Sequence, residues 1–191
     1  MALLPINTSS YDGFRADALA RAGQGLGYDV DGYLGYQCWD LAAELWMNLP
    51  EFAGHGLYPQ TGPNLYASEC WTYSRNVNAG NSFDLIYNLS DVKRGDVVVL
   101  DLYTTGHIAF ADADYTGTGY LDLLGQNQVN PDPYYGHIPT ITYFNMSTFL
   151  GAFRYKEWEN PEPPVLPTQA KKHFPWPVAW KNWGGFKRVG R

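Results

Sequence analysis

Apolar positions recur at two different periods along this chain, and the change of period divides it. Trp39, Ala42, Leu45, Trp46 and Leu49 fall at three- and four-residue steps, the spacing that gathers side chains on one face of an α-helix. Upstream, the run from Phe14 to Gly23 reads as a shorter helix ended by its glycine, and Pro50 stops the longer one. Residues 51–82 are irregular, with one helical turn expected near Ala67–Arg75 and a role as one wall of a cleft, where Trp39, Tyr66 and Trp71 are candidate lining residues.

The period becomes that of a strand after the Gly95-Asp96 turn. Val97–Tyr103 is a β-branched run that reads as a buried strand. In the segment from His107 to Tyr115, alternation puts His107, Ala109, Ala111 and Ala113 on one face and Ile108, Phe110 and Asp112 on the other. Thr116–Gly119 closes a hairpin, and Tyr120–Asn127 returns as the next strand. Ile141–Phe144 and Leu150–Tyr155 are further strands. Helices first and an antiparallel sheet of about five or six strands afterwards make an α+β fold.

Composition narrows the class. A chain of 191 residues with 45% hydrophobic and 17% charged residues can bury a proper core. A net charge of -6 opposes nucleic acid, whose phosphates need a basic field, so no nucleic-acid partner is expected. No run reaches the roughly 18 apolar residues of a membrane span, so no membrane partner is expected either. Met1–Ile6 lacks the features of a signal peptide, so a protein meant to act outside a cell would need another exit, such as lysis or delivery on a particle. Cys38 and Cys70 have no spacing that marks a disulfide framework or a zinc ribbon, although one disulfide between them is feasible.

The domain is expected to span residues 1–156. Residues 157–170, rich in proline, read as a stiff linker, and 171–191 as a basic, aromatic tail holding Trp176, Trp180 and Trp183. Such a tail suits docking or a partner contact better than nucleic acid.

Two kinds of chemistry overlap between Asp29 and Asp40. Asp29, Asp31, Tyr33, Gly35 and Asp40 stand at positions 1, 3, 5, 7 and 12 of a calcium-loop register. The aspartates would offer side chains, and Tyr33 and Gly35 backbone carbonyls. Leu34 stands where such loops carry glycine, and the closing residue is Asp rather than Glu, so this is no ordinary helix–loop–helix hand. Cys38 lies in the same stretch, on the first turn of the expected helix, where the helix dipole favours a thiolate.

A cysteine at a helix start, a histidine opening a strand and a polar residue on the adjoining strand follow the order of papain-like cysteine hydrolases. The thiolate attacks an acyl carbon, the imidazole shuttles the proton, and a third group holds the ring in one tautomer. Cys38, His107 and Asn127 fill these places, with Asn127 facing His107 if the hairpin pairs in register. His55, His137 and His173 are the competing histidines.

Tyr36-Gln-Cys-Trp-Asp-Leu41, Lys93-Arg-Gly-Asp-Val97, Gly106-His-Ile-Ala-Phe110 and Gly125-Gln-Asn127 resemble the motifs of the CHAP domain. That family, the cysteine, histidine-dependent amidohydrolase/peptidase, occurs in phage lysins and bacterial wall hydrolases. The resemblance covers about residues 10–155, and the acidic stretch is similar in spacing to the calcium loop of staphylococcal phage members. It implies a papain-like fold, Cys38 as nucleophile, His107 as general base and Asn127 as the orienting residue. Gln37 and the Cys38 backbone N–H would be the oxyanion donors, and Asp40 would serve a structural calcium ion. Gly125 stands where many relatives carry glutamate, which leaves Asn127 alone to orient His107 or weakens activity.

The family implies peptidoglycan as substrate, cut at a stem or cross-bridge peptide bond or at the N-acetylmuramoyl–L-alanine amide. It also implies a monomer or a component of a phage particle, held in the host cytoplasm until lysis or carried on the virion. Two other classes remain open: a non-catalytic wall-binding or phage tail structural module keeping the fold, and another thiol enzyme on the same plan, such as an NlpC/P60-type endopeptidase. A zinc hydrolase lacks support, since no His-Glu-x-x-His or paired Cys-x-x-Cys is present.

Overall fold

The structure is a computed structural model of the chain and describes residues 6–50, 52, 59–74 and 82–159. The expected linker from residue 160 onward, the aromatic tail, His55 and His173 lie outside the described residues.

Helix α1 spans Tyr11–Ala22. Ser10 caps it, its hydroxyl accepting the Gly13 N–H at 3.1 Å, and Tyr11, Phe14 and Ala18 form its buried stripe. Helix α2 spans Cys38–Asn48 and buries Leu41, Ala42, Ala43, Leu45 and Trp46, more than a single stripe, because it lies inside the main core. It ends where Leu49 adopts ψ 138°, the extended geometry forced on a residue before proline.

Among the described residues six antiparallel strands follow: β1 Phe83–Ile86, β2 Val97–Leu100, β3 His107–Ala111, β4 Tyr120–Gly125, β5 Thr140–Asn145 and β6 Phe149–Tyr155, in the spatial order β1-β6-β2-β3-β4-β5. Strand β1 was not foreseen; its Phe83-Asp-Leu-Ile86 run is short and finds its place by pairing with β6, far along the chain. The expected Val97–Tyr103 strand stops at Leu100, and Tyr103 turns with positive φ.

Strands β2 and β3 are buried on both faces, and the alternation of their side chains feeds two cores. Val97, Val99, Ile108 and Phe110 join α1 and α2, while Val98, Leu100, Ala109 and Ala111 pack with Leu121, Leu123, Met146 and Ala152. Trp71 belongs to the first core rather than to a cleft wall. It is 3% exposed and meets Phe153 at 5.2 Å, and Gly151 leaves the room its ring fills. Tyr66 remains exposed.

Two polar ties hold the layers. Arg15 donates two bonds to Asp112, at 2.6 and 3.0 Å, joining α1 to the end of β3. Arg154 on β6 grips buried Asp96 with two bonds of 2.8 Å. Past Tyr155, a short helix α3, Lys156–Glu159, sets Trp158 against Tyr11 and Tyr155 and lets its indole N–H bond the Thr8 carbonyl at 2.9 Å. The packed fold therefore runs beyond the expected boundary. Among the described residues, no helix is long and apolar enough to cross a membrane.

Candidate active site

Cys38 is the first residue of α2, and α2 packs on β3. Strand β3 pairs with β4 through Phe110 with Leu124 and Ala111 with Leu123, and the ladder stops short of the start of β3. The backbone at Ile108 and at the start of α2 favours the charged form of the Cys38 thiol. Cys38 thus opens the helix that packs on β3, and His107 opens β3 itself.

His107 opens β3 and is 2% exposed. Gly106 before it has φ 78°, and a Cβ there would lie 2.5 Å from the Ser68 backbone nitrogen, so only glycine lets the chain enter the strand against that segment. Phe144 stacks on the imidazole with ring centres 5.3 Å apart. Burial pushes the ring down to about 4, opposed in part by its bond to Gln128. Burial likewise pushes the Cys38 thiol up to about 11, against the helix-start and Ile108 N–H groups that favour the thiolate. At Cys38 desolvation acts against the start of the helix, the one raising the thiol and the other favouring its charged form.

The partner of His107 is not the expected one. Its Nε2 lies 3.3 Å from Oε1 of Gln128. Continuing the Phe110–Leu124 register would set Asn127 opposite His107, but Asn127 takes a positive φ of 51° and leaves the sheet. Its amide donates to the Gln37 side chain at 2.8 Å and to the Asp132 carbonyl at 2.9 Å, while its own oxygen accepts the Asp132 N–H at 2.8 Å. His137 reaches the same oxygen at 3.1 Å. Asn127 therefore builds the 127–137 loop. Gln128, 3% exposed, was missed because it lies beyond the strand end, where side-chain direction no longer follows alternation.

Gln37 is also committed elsewhere. Its amide nitrogen donates to the Leu34 and Asp132 carbonyls and its oxygen accepts from Asn127, so both donors are engaged within the loop rather than held ready for an oxyanion. The backbone N–H groups of Cys38 and Trp39 favour the charged form of the thiol.

Asp29, Asp31 and Asp40 converge, with one carboxylate oxygen from each lying within 4.8 Å of the others. Gly32, Leu34 and Gly35 all have positive φ, which curls the intervening chain. Asp40 is 1% exposed and accepts the Gln37 N–H at 2.9 Å and the Val30 N–H at 3.1 Å, capping α2 while it faces the other two acids. Burial, with Asp31 and Asp29 adding, pushes its carboxyl up to about 7. Asp31 accepts the Tyr33 N–H at 2.8 Å, and the Gly35 carbonyl accepts the Gln37 N–H at 2.9 Å. Three crowded carboxylates on a curled loop fit a hard, oxygen-seeking dication.

Cys38 and Cys70 are both free thiols. Cys70 is wholly buried in the main core.

No family model matches the chain. The D-alanyl-L-alanine endopeptidase of Streptococcus phage B30 is 33% identical over 142 residues, which are 71% of this chain and 29% of that protein. The chain thus spans less than a third of the length of this curated relative. The wild-type endolysin LysIME-EF1 superposes with a TM-score of 0.56 at 23% identity, over 76% of this chain and 64% of that one. Ly7917 superposes with a TM-score of 0.52 at 17% identity, over 80% and 63%, and its structure is also known with the hydrolysing product of MDP. The α+β architecture that carries Cys38 and His107 is therefore a fold this chain shares with the endolysin LysIME-EF1.

Proposed function

We propose that this protein is a cysteine hydrolase of the CHAP type that cuts an amide bond in bacterial peptidoglycan. The observation that carries the reading is that the helix opened by the Cys38 thiol packs on the strand opened by the buried His107 imidazole. The 33% identity to a phage endopeptidase and the shared endolysin fold support the wall as substrate.

In the proposed reaction the Cys38 proton passes to Nδ1 of His107 as sulfur bonds to the acyl carbon. Backbone N–H groups at the start of α2 stabilise the resulting oxyanion. His107 returns the proton to the leaving nitrogen as the C–N bond breaks, leaving a thioester. His107 then takes a proton from water, whose oxygen displaces sulfur, and the thiol is restored.

A calcium ion held by Asp29, Asp31 and Asp40, with the Tyr33 and Gly35 carbonyls, would neutralise the acidic loop and pin it ahead of Cys38. Its part is structural. The endopeptidase reading, a stem or cross-bridge peptide bond, is favoured over the muramoyl–alanine amide by the activity named for the phage relative.

The test is mass spectrometry of fragments released from purified Gram-positive walls, wild type beside Cys38→Ala, with calcium present. Fragments from wild type alone are expected, with new amino termini that identify the bond. No release by wild type across several wall chemotypes would replace this reading with that of a wall-binding module.

A further inference from the structure

We propose that Gln128 is the positioning residue of His107, fixing its neutral tautomer, and that the absence of a side chain at Gly125 is what admits Gln128 to that place. The inference rests on the Cys38–His107 reading above and adds a residue to it.

The amide of Gln128 is held in one orientation by chemistry. Its nitrogen has two hydrogens and faces two backbone carbonyls, those of Leu123 at 3.1 Å and Thr140 at 2.7 Å. Both carbonyls only accept. Flipping the amide would set Oε1 against two oxygens in a buried site and lose both bonds, so the oxygen must be the atom turned toward His107. That oxygen in turn only accepts, so the imidazole nitrogen 3.3 Å away, Nε2, must be the one that carries the ring proton. Nδ1 is then left with a bare lone pair, the state a base needs in order to take a proton from a thiol.

Room for this arrangement comes from position 125. A Cβ built there would lie 2.8 Å from Oε1 of Gln128 and 2.8 Å from the Cβ of Ala109. Any side chain would displace the glutamine amide or push against β3. Gly125 and Gln128 are therefore one device. The strand residue withdraws, and a residue three positions later folds back into the vacated space.

The device is neutral, and that sets its chemistry apart from a carboxylate partner. An amide orients the ring through one hydrogen bond but brings no negative charge to stabilise an imidazolium. With Phe144 stacked on the ring and little water near it, His107 stays uncharged in the resting site, and its tautomer rather than its charge is what the partner controls.

The measurement is two-dimensional nitrogen–proton NMR of the imidazoles in protein labelled with 15N-histidine, with the His107 signals assigned by their loss in His107→Gln. In wild type at neutral pH, His107 is expected to show a protonated Nε2 and a bare Nδ1; a protonated Nδ1 would overturn the proposal without any variant. In Gln128→Met, which keeps the volume and removes the acceptor, the signals are expected to shift toward a tautomer mixture. Wall hydrolysis should then fall by about a hundredfold in kcat with little change in KM. Gly125→Ala should move both readouts the same way and serves if Gln128→Met does not fold. An unchanged Nε2–H signature in either folded variant would sink the proposal. The NMR readout needs no substrate, so a wild type that releases no wall fragments while its His107 signature follows Gln128 would refute the proposed function alone.

Discussion

Gln126 at the end of β4 donates from its amide nitrogen to the backbone carbonyl of Gln37 at 2.9 Å, tying the sheet to the residue that precedes Cys38. The same nitrogen bonds the Tyr28 carbonyl at 3.0 Å, and the amide oxygen accepts the Tyr28 N–H at 2.6 Å. One fully buried side chain thereby holds both ends of the acidic loop, at its entrance and at the start of α2. Replacing it leaves the N–H and the carbonyl of Tyr28 without that partner, while the Gln37 carbonyl keeps the Asp40 N–H at 3.2 Å. Gln126→Leu is expected to cost about 2–4 kcal/mol in urea unfolding, since each orphaned buried group carries a desolvation penalty. A loss below about 0.5 kcal/mol would mean that the loop is held by other contacts.

Stability should depend on pH through His107. Its folded-state value near 4 lies below the ordinary 6.5, so the folded protein resists protonating it. The contribution is fully present above about pH 6.5 and is lost as pH falls through about 4. A shift of this size corresponds to on the order of 3 kcal/mol. Urea midpoints measured between pH 7 and 4 should fall more steeply for wild type than for His107→Gln, and parallel curves would contradict the burial argument.

Calcium is expected to raise the melting temperature, and chelation to lower it. At a hundredfold excess over Kd the gain would be about 2.7 kcal/mol. Asp31→Asn, which alters an exposed ligand and leaves the α2 cap on Asp40 intact, should remove most of the response. Without cation the sign of the Asp40 contribution is also defined. Its raised carboxyl favours the folded state below the ordinary carboxylate range, and that stability is lost as pH rises through about 7. Calorimetry with calcium and with chelator at pH 6 and 8 reads both effects, and a response as large in Asp31→Asn as in wild type would place the ion elsewhere.

Arg154→Met should destabilise by about 3 kcal/mol, because it strands the Asp96 carboxylate, whose side chain is 2% exposed. The double variant Arg154→Met with Asp96→Asn should recover part of the loss. Thermal unfolding of the three variants measures this, and a double variant no better than Arg154→Met would show that the stranded charge is not the cause.

Much of this protein could be read from short stretches of its chain. The helix behind Cys38, the strand opened by Gly106-His107 and the crowding of Asp29, Asp31 and Asp40 follow from local periodicity and spacing, because helix and strand geometry repeat within a few residues. Distance along the chain decided the rest. Strand β1 lies beside β6, so its short run gains meaning only from a partner about seventy residues away. Trp71 enters the core because Gly151 makes room for its ring. The choice of Gln128 rather than Asn127 as the neighbour of His107 turns on where the β3–β4 ladder stops and on a left-handed backbone at Asn127. Alternation says which face a side chain takes while the ladder lasts. Beyond its last pair, backbone dihedrals and the space left by neighbours such as Gly125 take over, and only the folded chain contains those.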